Sequence, residues 1–422
     1  MTTLHMPSRR HLLLGSGTLF AWAHLPKLAR AEGRDPRFLT IVLRGALDGL
    51  ATVAPVGDPD WVALRGDDAF TLAGKTPALK LDDYFALNPA MPKLQRMFAA
   101  NEALIVHAAA TSYRERSHFD GQDVLETGVE KPGTVRTGWL NRLLGNLTPE
   151  DRVATNAGSA FAVGPVTPLV ARGPAPMLVW SPRRSMTPAT ADTVNRLVDL
   201  YRHSDGRFAQ VLEGRTKLAS LAAKSGIVEK PAGPLAGPFV PPLAYATQQR
   251  TYFSAVVGAA AQYLAQADGP RVGALSLDGW DTHSAEGIGS GTLAVLLGAL
   301  DDALAAIKDN MGAAWRETVV VLITEFGRTA RINGSKGTDH GTATVALAVG
   351  GALKGGRVIA DWPGLKPANL LEDRDLKPTT DLRAVLKGLL KDHLRADDRM
   401  LAADVFPGSE QIKPMAGLVA SA

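Results

Sequence analysis

The chain of 422 residues contains no cysteine. That excludes disulfides, thiolate metal sites, iron–sulfur clusters and cysteine nucleophiles. It also lacks a charge excess once its first residues are set aside. Lys and Arg number 46 against 42 Asp and Glu, but residues 1–31 hold Arg9, Arg10, Lys27 and Arg30 and no acid, so the remainder balances. A neutral body offers little to nucleic acid or to an anionic membrane surface. No apolar run reaches the roughly 20 residues that span a bilayer, so neither a nucleic-acid partner nor a stable membrane span is expected. No internal repeat or heptad pattern is visible. Gly350–Gly356 is glycine-rich but lacks the Gly-Lys-Ser/Thr ending of a phosphate loop, and reads as a turn.

What is present begins with an address. Ser8-Arg9-Arg10-His11-Leu12-Leu13-Leu14 is a paired-arginine head followed by a short apolar stretch, Leu12 to Ala23, and Ala29-Arg30-Ala31 offers the small-x-small pattern of a cleavage site. This resembles a twin-arginine (Tat) signal peptide over residues 1–31. The expected mature chain, 32–422, is then a periplasmic or secreted protein that meets the Tat translocase during export.

Short apolar runs predict buried strands at Phe38–Leu43, Ala103–Ala108, Phe161–Val163, Val272–Leu277, Val319–Ile323 and Val345–Val349. Continuous hydrophobicity, without alternation, suggests burial on both faces, as in a parallel sheet. Helical patterns lie between them, at Met91–Ala99, Ala191–Tyr201, Arg207–Ala223, Thr247–Gln266, Leu293–Met311 and Asp381–Leu390. The alternation predicts a three-layer α/β domain. Residues 227–242 are rich in Pro and Gly and read as an extended connection, and 185–268 as a helical insertion or cap.

Polar clusters follow the predicted strands, where open α/β sheets bind ligands. Asp48 follows the first strand in Arg44-Gly45-Ala46-Leu47-Asp48-Gly49. Arg116-Ser117-His118-Phe119-Asp120 opens a helix for which Ser117 is a suitable N-cap. Asp281 and His283, two apart in a turn, can aim at one ion, and carboxylate plus imidazole suits zinc or manganese. Thr324-Glu325-Phe326-Gly327-Arg328 ends the most apolar run, and Asp339-His340 sits between glycines. Against each stands a plainer reading: a turn, a capped helix, a loop hydrogen bond or a buried ion pair. His107, in an apolar run, reads as a core histidine, and His203 and His393 as surface residues.

Together these motifs, with Gly138-Trp139-Leu140-Asn141-Arg142, resemble a bacterial exported family known as domain of unknown function 1501, placed in the alkaline phosphatase/sulfatase superfamily. The resemblance runs from about residue 36 to 405. It implies an alkaline-phosphatase-like fold, with a mostly parallel sheet between helices and a two-metal site at the strand ends. Asp48 looks like the first metal-binding Asp, Ser117 like the nucleophile, Asp281 and His283 like an Asp–His pair and His340 like the final His. The sequence departs from the pattern twice. The Asp–His spacing is short, and Glu325-Phe326 stands where relatives carry Asp-His, so His118 or Asp339 would replace the lost imidazole.

The expectation is therefore an exported metal-dependent hydrolase or transferase of small-molecule or glycan phosphate esters. Divalent ions, zinc first and manganese, magnesium or calcium as alternatives, would be held by Asp48, His118, Asp281, His283, Glu325, Asp339 and His340. Ser117 or a water would attack, and Arg116, Arg328 or Arg44 would clamp the oxygens. Sulfate esters rank lower, because Ser117-His118-Phe119-Asp120 does not match the Cys/Ser-x-Pro-x-Arg sequence of formylglycine sulfatases. The alternative is a periplasmic binding or assembly protein on the same scaffold without turnover. A redox enzyme ranks last, since no dinucleotide glycine fingerprint is present.

Overall fold

A computed structural model describes residues 34–74, 76–147, 160–164, 167–180, 191–224, 242–267, 269–287 and 289–420. The expected signal peptide, and all but the last residue of the Pro/Gly-rich connection, lie outside the described residues. The chain divides into residues 1–35 and 36–422, and everything below concerns the second unit.

The apolar runs form a nine-stranded sheet. In chain order its strands are β1 (Arg37–Arg44), β2 (Ala103–Ala110), β3 (Phe161–Val163), β4 (Leu178–Trp180), β5 (Val272–Asp278), β6 (Thr318–Ile323), β7 (Thr344–Val349), β8 (Arg357–Ile359) and β9 (Thr380–Asp381). Across the sheet the order is β8-β2-β7-β6-β1-β5-β3-β4, with β9 also beside β2. All pairings are parallel except those of β7, which runs antiparallel to β2 and β6. The chain is therefore of the α/β class, with a mostly parallel central sheet.

Burial on both faces follows from the period of two along each strand. Leu39, Ile41 and Leu43 join one core cluster and Phe38 and Val42 the other; Val320 and Leu322 oppose Val319, Val321 and Ile323 in the same way. On the first face pack α1 (Pro92–Ala99), α6 (Pro242–Ala265) and α7 (Thr292–Met311); on the second, α3 (Trp139–Asn146) and α8 (Leu382–Leu394). On α7, Leu293, Leu297, Leu300, Leu304, Ile307 and Met311 recur every three or four residues and are all buried.

The stretch expected as an insertion or cap holds α4 (Ala191–Ser204), α5 (Gly206–Lys224) and α6. α6 is apolar over most of its circumference, and Phe253, Val256, Val257, Ala260 and Leu264 lie in the main core beside α7. No helix among the described residues is long and apolar enough to cross a membrane.

His107 is a core histidine, its Nε2 2.9 Å from the Val53 carbonyl. His393 corrects the sequence expectation, since it is fully buried. It lies on the apolar face of α8, one helical turn beyond Leu389 and Leu390, with its Nε2 2.9 Å from the Arg37 carbonyl.

Candidate metal centre

β1, β2, β5 and β6 run in one direction, so the loops after all four emerge at one rim of the sheet. β7 runs the other way, so the loop before it, with Asp339 and His340, reaches that rim too. Five polar clusters far apart in sequence thus become neighbours. α2 (His118–Thr127) starts there with Ser117 as its N-cap, whose side chain makes no cap hydrogen bond. Arg116 holds a left-handed φ of 57°, a strained conformation of the kind that concentrates at functional sites. Close approach of the loops depends on Gly45, at φ 119°, where a Cβ would come within 2.6 Å of the Asp281 nitrogen.

The centre is Asp281 with three imidazoles around it. His118, Asp281 and His340 form a cluster able to hold a metal ion. His283 Nε2 is 3.1 Å from Asp281 Oδ1 and 2.9 Å from His340 Nε2. His340 Nε2 is 3.3 Å from the same oxygen, and His118 Nε2 is 3.4 Å from Oδ2.

The other nitrogen of each ring is already committed. His118 Nδ1 lies 2.9 Å from Glu325 Oε1, His283 Nδ1 3.3 Å from Asp339 Oδ1, and His340 Nδ1 2.8 Å from the Arg116 carbonyl. Ionised carboxylates and carbonyls only accept, so each Nδ1 carries a proton and each ring turns its Nε2 inward. His118 Nε2 is shielded from solvent and faces Asp281 Oδ2. With no ion bound, Asp281 and then Glu325 push the His118 pKa up to about 9. Burial opposes ionisation of Asp281, yet His118, His340 and Arg328 hold it far below the usual carboxylate range. The place favours positive charge, and the His118–Asp281–His340 cluster, with His283 Nε2 beside Asp281, could hold a metal ion.

The remaining expected residues surround this centre. Glu325 stands behind His118. Its buried carboxylate accepts from the Gly45 N–H at 2.9 Å, Gln122 Nε2 at 3.0 Å and His118 Nδ1, and so orients the ring. Asp339 holds His283 in the same manner and is itself bonded by Asn333 at 3.1 Å. Phe326 packs against the His118 and His340 rings.

Asp48 is not brought to the centre. Arg65 binds both of its oxygens, at 2.8 and 3.1 Å, and its Oδ1 also caps the short helix Gly49–Thr52. The arginines expected as clamps are paired as well. Arg328 donates to Asp281 at 2.6 Å and to Thr338, Arg116 to Asp375 and Glu372, and Arg44 to Glu126.

Sequence reading missed Gln122, Arg65, Glu286 and Asp375. Only Gln122 left a signal, standing four residues after His118 and thus on the same helix face. Glu286 accepts from Thr282 Oγ1 and Thr338 Oγ1, each at 2.9 Å, and so ties the two ligand loops together.

A family model described as protein of unknown function (DUF1501) matches residues 35–405. No curated protein matches the chain. Among solved structures, the C-terminal periplasmic domain of EcEptC from Escherichia coli, in complex with zinc, is 10% identical with a TM-score of 0.32, over 77% of each chain. PsFucS1 sulfatase from Pseudoalteromonas is 12% identical with a TM-score of 0.34, over 84% of this chain and 68% of its own. The phosphonate monoester hydrolase of Agrobacterium radiobacter is 11% identical with a TM-score of 0.32, over 77% and 70%. With overlaps this partial, the chemistry has to come from the residues.

Proposed function

Because the chain belongs to the DUF1501 family, whose function is unknown, we propose its activity from the site itself: an exported metal-dependent hydrolase or transferase of phosphate esters, ahead of sulfate esters. One observation carries the reading. Three histidines, each with Nδ1 committed, present Nε2 toward one carboxylate. His118, Asp281, His283 and His340 would hold one divalent ion, and such an ion polarises an ester oxygen and stabilises developing negative charge.

The chain's own residues do the rest. Ser117, between the carbonyl that fixes His340 and the ring of His118, has a hydroxyl unused in capping and is the oxygen assigned to attack. Glu325 and Asp339 keep the imidazoles in the ligating tautomer. Exposed Arg331 and Lys336 lie on the stretch leading to Asp339 and give that side of the rim positive charge for an anionic ester. Phe119, 89% exposed beside His118, offers apolar surface to the organic part of the substrate.

A second reading, a binding or assembly protein without turnover, has one observation in its favour: Arg44, Arg116 and Arg328 are each bound to carboxylates, so none is free to clamp a substrate oxyanion. Metal analysis of the mature protein, with assays on chromogenic phosphomonoester, phosphodiester and sulfate-ester substrates, decides between the two. Turnover that depends on bound metal, and that His118→Ala and Ser117→Ala both abolish, is the expected result. Bound metal without turnover selects the binder, and absence of both metal and turnover removes the hydrolase.

A further inference from the structure

Beneath the ligand loops lies a second group of charges that the proposed reaction does not use. Arg65 ends the short helix Trp61–Arg65 and is completely buried. Its Nη1 and Nη2 bind the two oxygens of Asp48, Nη2 also reaches the Thr329 carbonyl at 3.3 Å, and Nε donates to the Ala330 carbonyl at 2.7 Å. Its guanidinium carbon stands 5.6 Å from the Trp61 ring centroid. Glu286 is buried as well.

This group is mechanically joined to the centre. Glu286 binds Thr282, between Asp281 and His283, and Thr338, next to Asp339. Thr329, whose carbonyl accepts from Arg65, donates its N–H to the Asp339 carbonyl at 2.9 Å, and its hydroxyl accepts from the Asp339 N–H at 3.0 Å. The two Asp48 oxygens and the Thr329 and Ala330 carbonyls, all bonded by the one guanidinium, are the kind of oxygen donors that a hard divalent cation seeks. The planar fork of an arginine satisfies a carboxylate in two places and cannot lose its charge.

We propose that Arg65 is a built-in cation that keeps metal away from Asp48, so that the chain takes its divalent ion at the histidine cluster. Only the ion at the cluster rests on the reading above; the exclusion at Asp48 stands on its own. The permanent charge fixes the floor of the site whatever the metal supply, and leaves affinity and exchange to the four ligands above it.

The test counts ions. Mature protein is equilibrated with zinc or manganese, desalted and analysed by mass spectrometry of the metal, for the wild type, Arg65→Ala and the double variant Asp48→Asn/Arg65→Ala. The wild type should hold one equivalent, Arg65→Ala one more than the wild type, most readily as manganese, and the double variant should lose that addition. Folding is followed by circular dichroism, and Arg65→Ala should gain thermal stability with manganese beyond any gain of the wild type. A wild type holding two equivalents overturns the proposal even if Arg65→Ala fails to fold. So does a folded Arg65→Ala that gains no ion. A wild type with no ion at all removes the metal centre, yet an added equivalent in Arg65→Ala would still support exclusion by Arg65.

Discussion

Each imidazole at the centre has one nitrogen committed before any ion arrives, and that commitment is where the site can be broken without removing a ligand. Glu325→Gln keeps the size of the side chain and an oxygen that can accept from His118 Nδ1–H, but removes the negative charge that strengthens this bond and raises the basicity of the ring. The ring is then a weaker and less firmly oriented ligand. Ion affinity should fall about 10- to 100-fold, read by competition with a chromophoric chelator, while the melting temperature of the metal-free protein changes little by comparison. Equal affinities in the two proteins would show that Glu325 does not orient the ring. A different histidine should set the acid limit of the fold. Burial lowers the His107 pKa to about 4, against an ordinary value near 6.5. Between those values the unfolded chain binds a proton that the native core refuses, so stability is complete above about pH 6.5 and declines as pH falls toward 4, by roughly 3 kcal/mol from this residue. The urea midpoint should fall less between pH 7.5 and pH 5 for His107→Gln than for the wild type. At this scale the sequence was legible wherever polar residues followed an apolar run: Asp281, His283 and His340 stand together as that rule implies, and His118 joins them. Asp48 followed the same rule and was claimed by Arg65, which no motif announces, because its role depends on a burial that only the assembled loops create.

At the scale of elements, the expected strands transferred to within two residues at each end, whereas α6 begins five residues before and α8 ends four residues beyond the expected bounds, and α3 was not foreseen. β3 spans the same Phe161–Val163 that the sequence suggested, since a run apolar on both faces has few alternatives to a central strand. The strands Leu178–Trp180 and Arg357–Ile359 escaped because they lie at the two ends of the strand order and are not buried throughout, so neither reads as a continuous core run. The buried side of α8 escaped at His393, where a polar type sits on the apolar face. Loop geometry was less legible still. The turn after β1 threads between Asp281 and Glu325, and Gly45 makes that passage possible. Gly45→Ala places a Cβ against the Asp281 backbone at a φ that alanine avoids. The expected loss is at least about 1 kcal/mol of stability, together with weaker ion binding as Asp281 is displaced. Urea unfolding and a metal titration of the same sample check both, and a variant that matches the wild type in each would show that the loop yields at no cost.

For the molecule as a whole, we propose that the paired arginines Arg9 and Arg10 direct export, a route that their replacement should then close. With Arg9→Lys and Arg10→Lys together, the protein should accumulate in the cytoplasm at full length, measured by fractionation and immunoblotting. Undiminished export would refute the twin-arginine reading and leave the site untouched. The geography of the ligands has a consequence for that journey. His118 and its supporting Glu325 are 207 residues apart along the chain, and they meet only after β6 has docked beside β1 and β7 has closed the rim. A half-made sheet, or a nascent chain still lacking its last third, cannot assemble the quartet. An ion held by that quartet would therefore report that the whole sheet has closed.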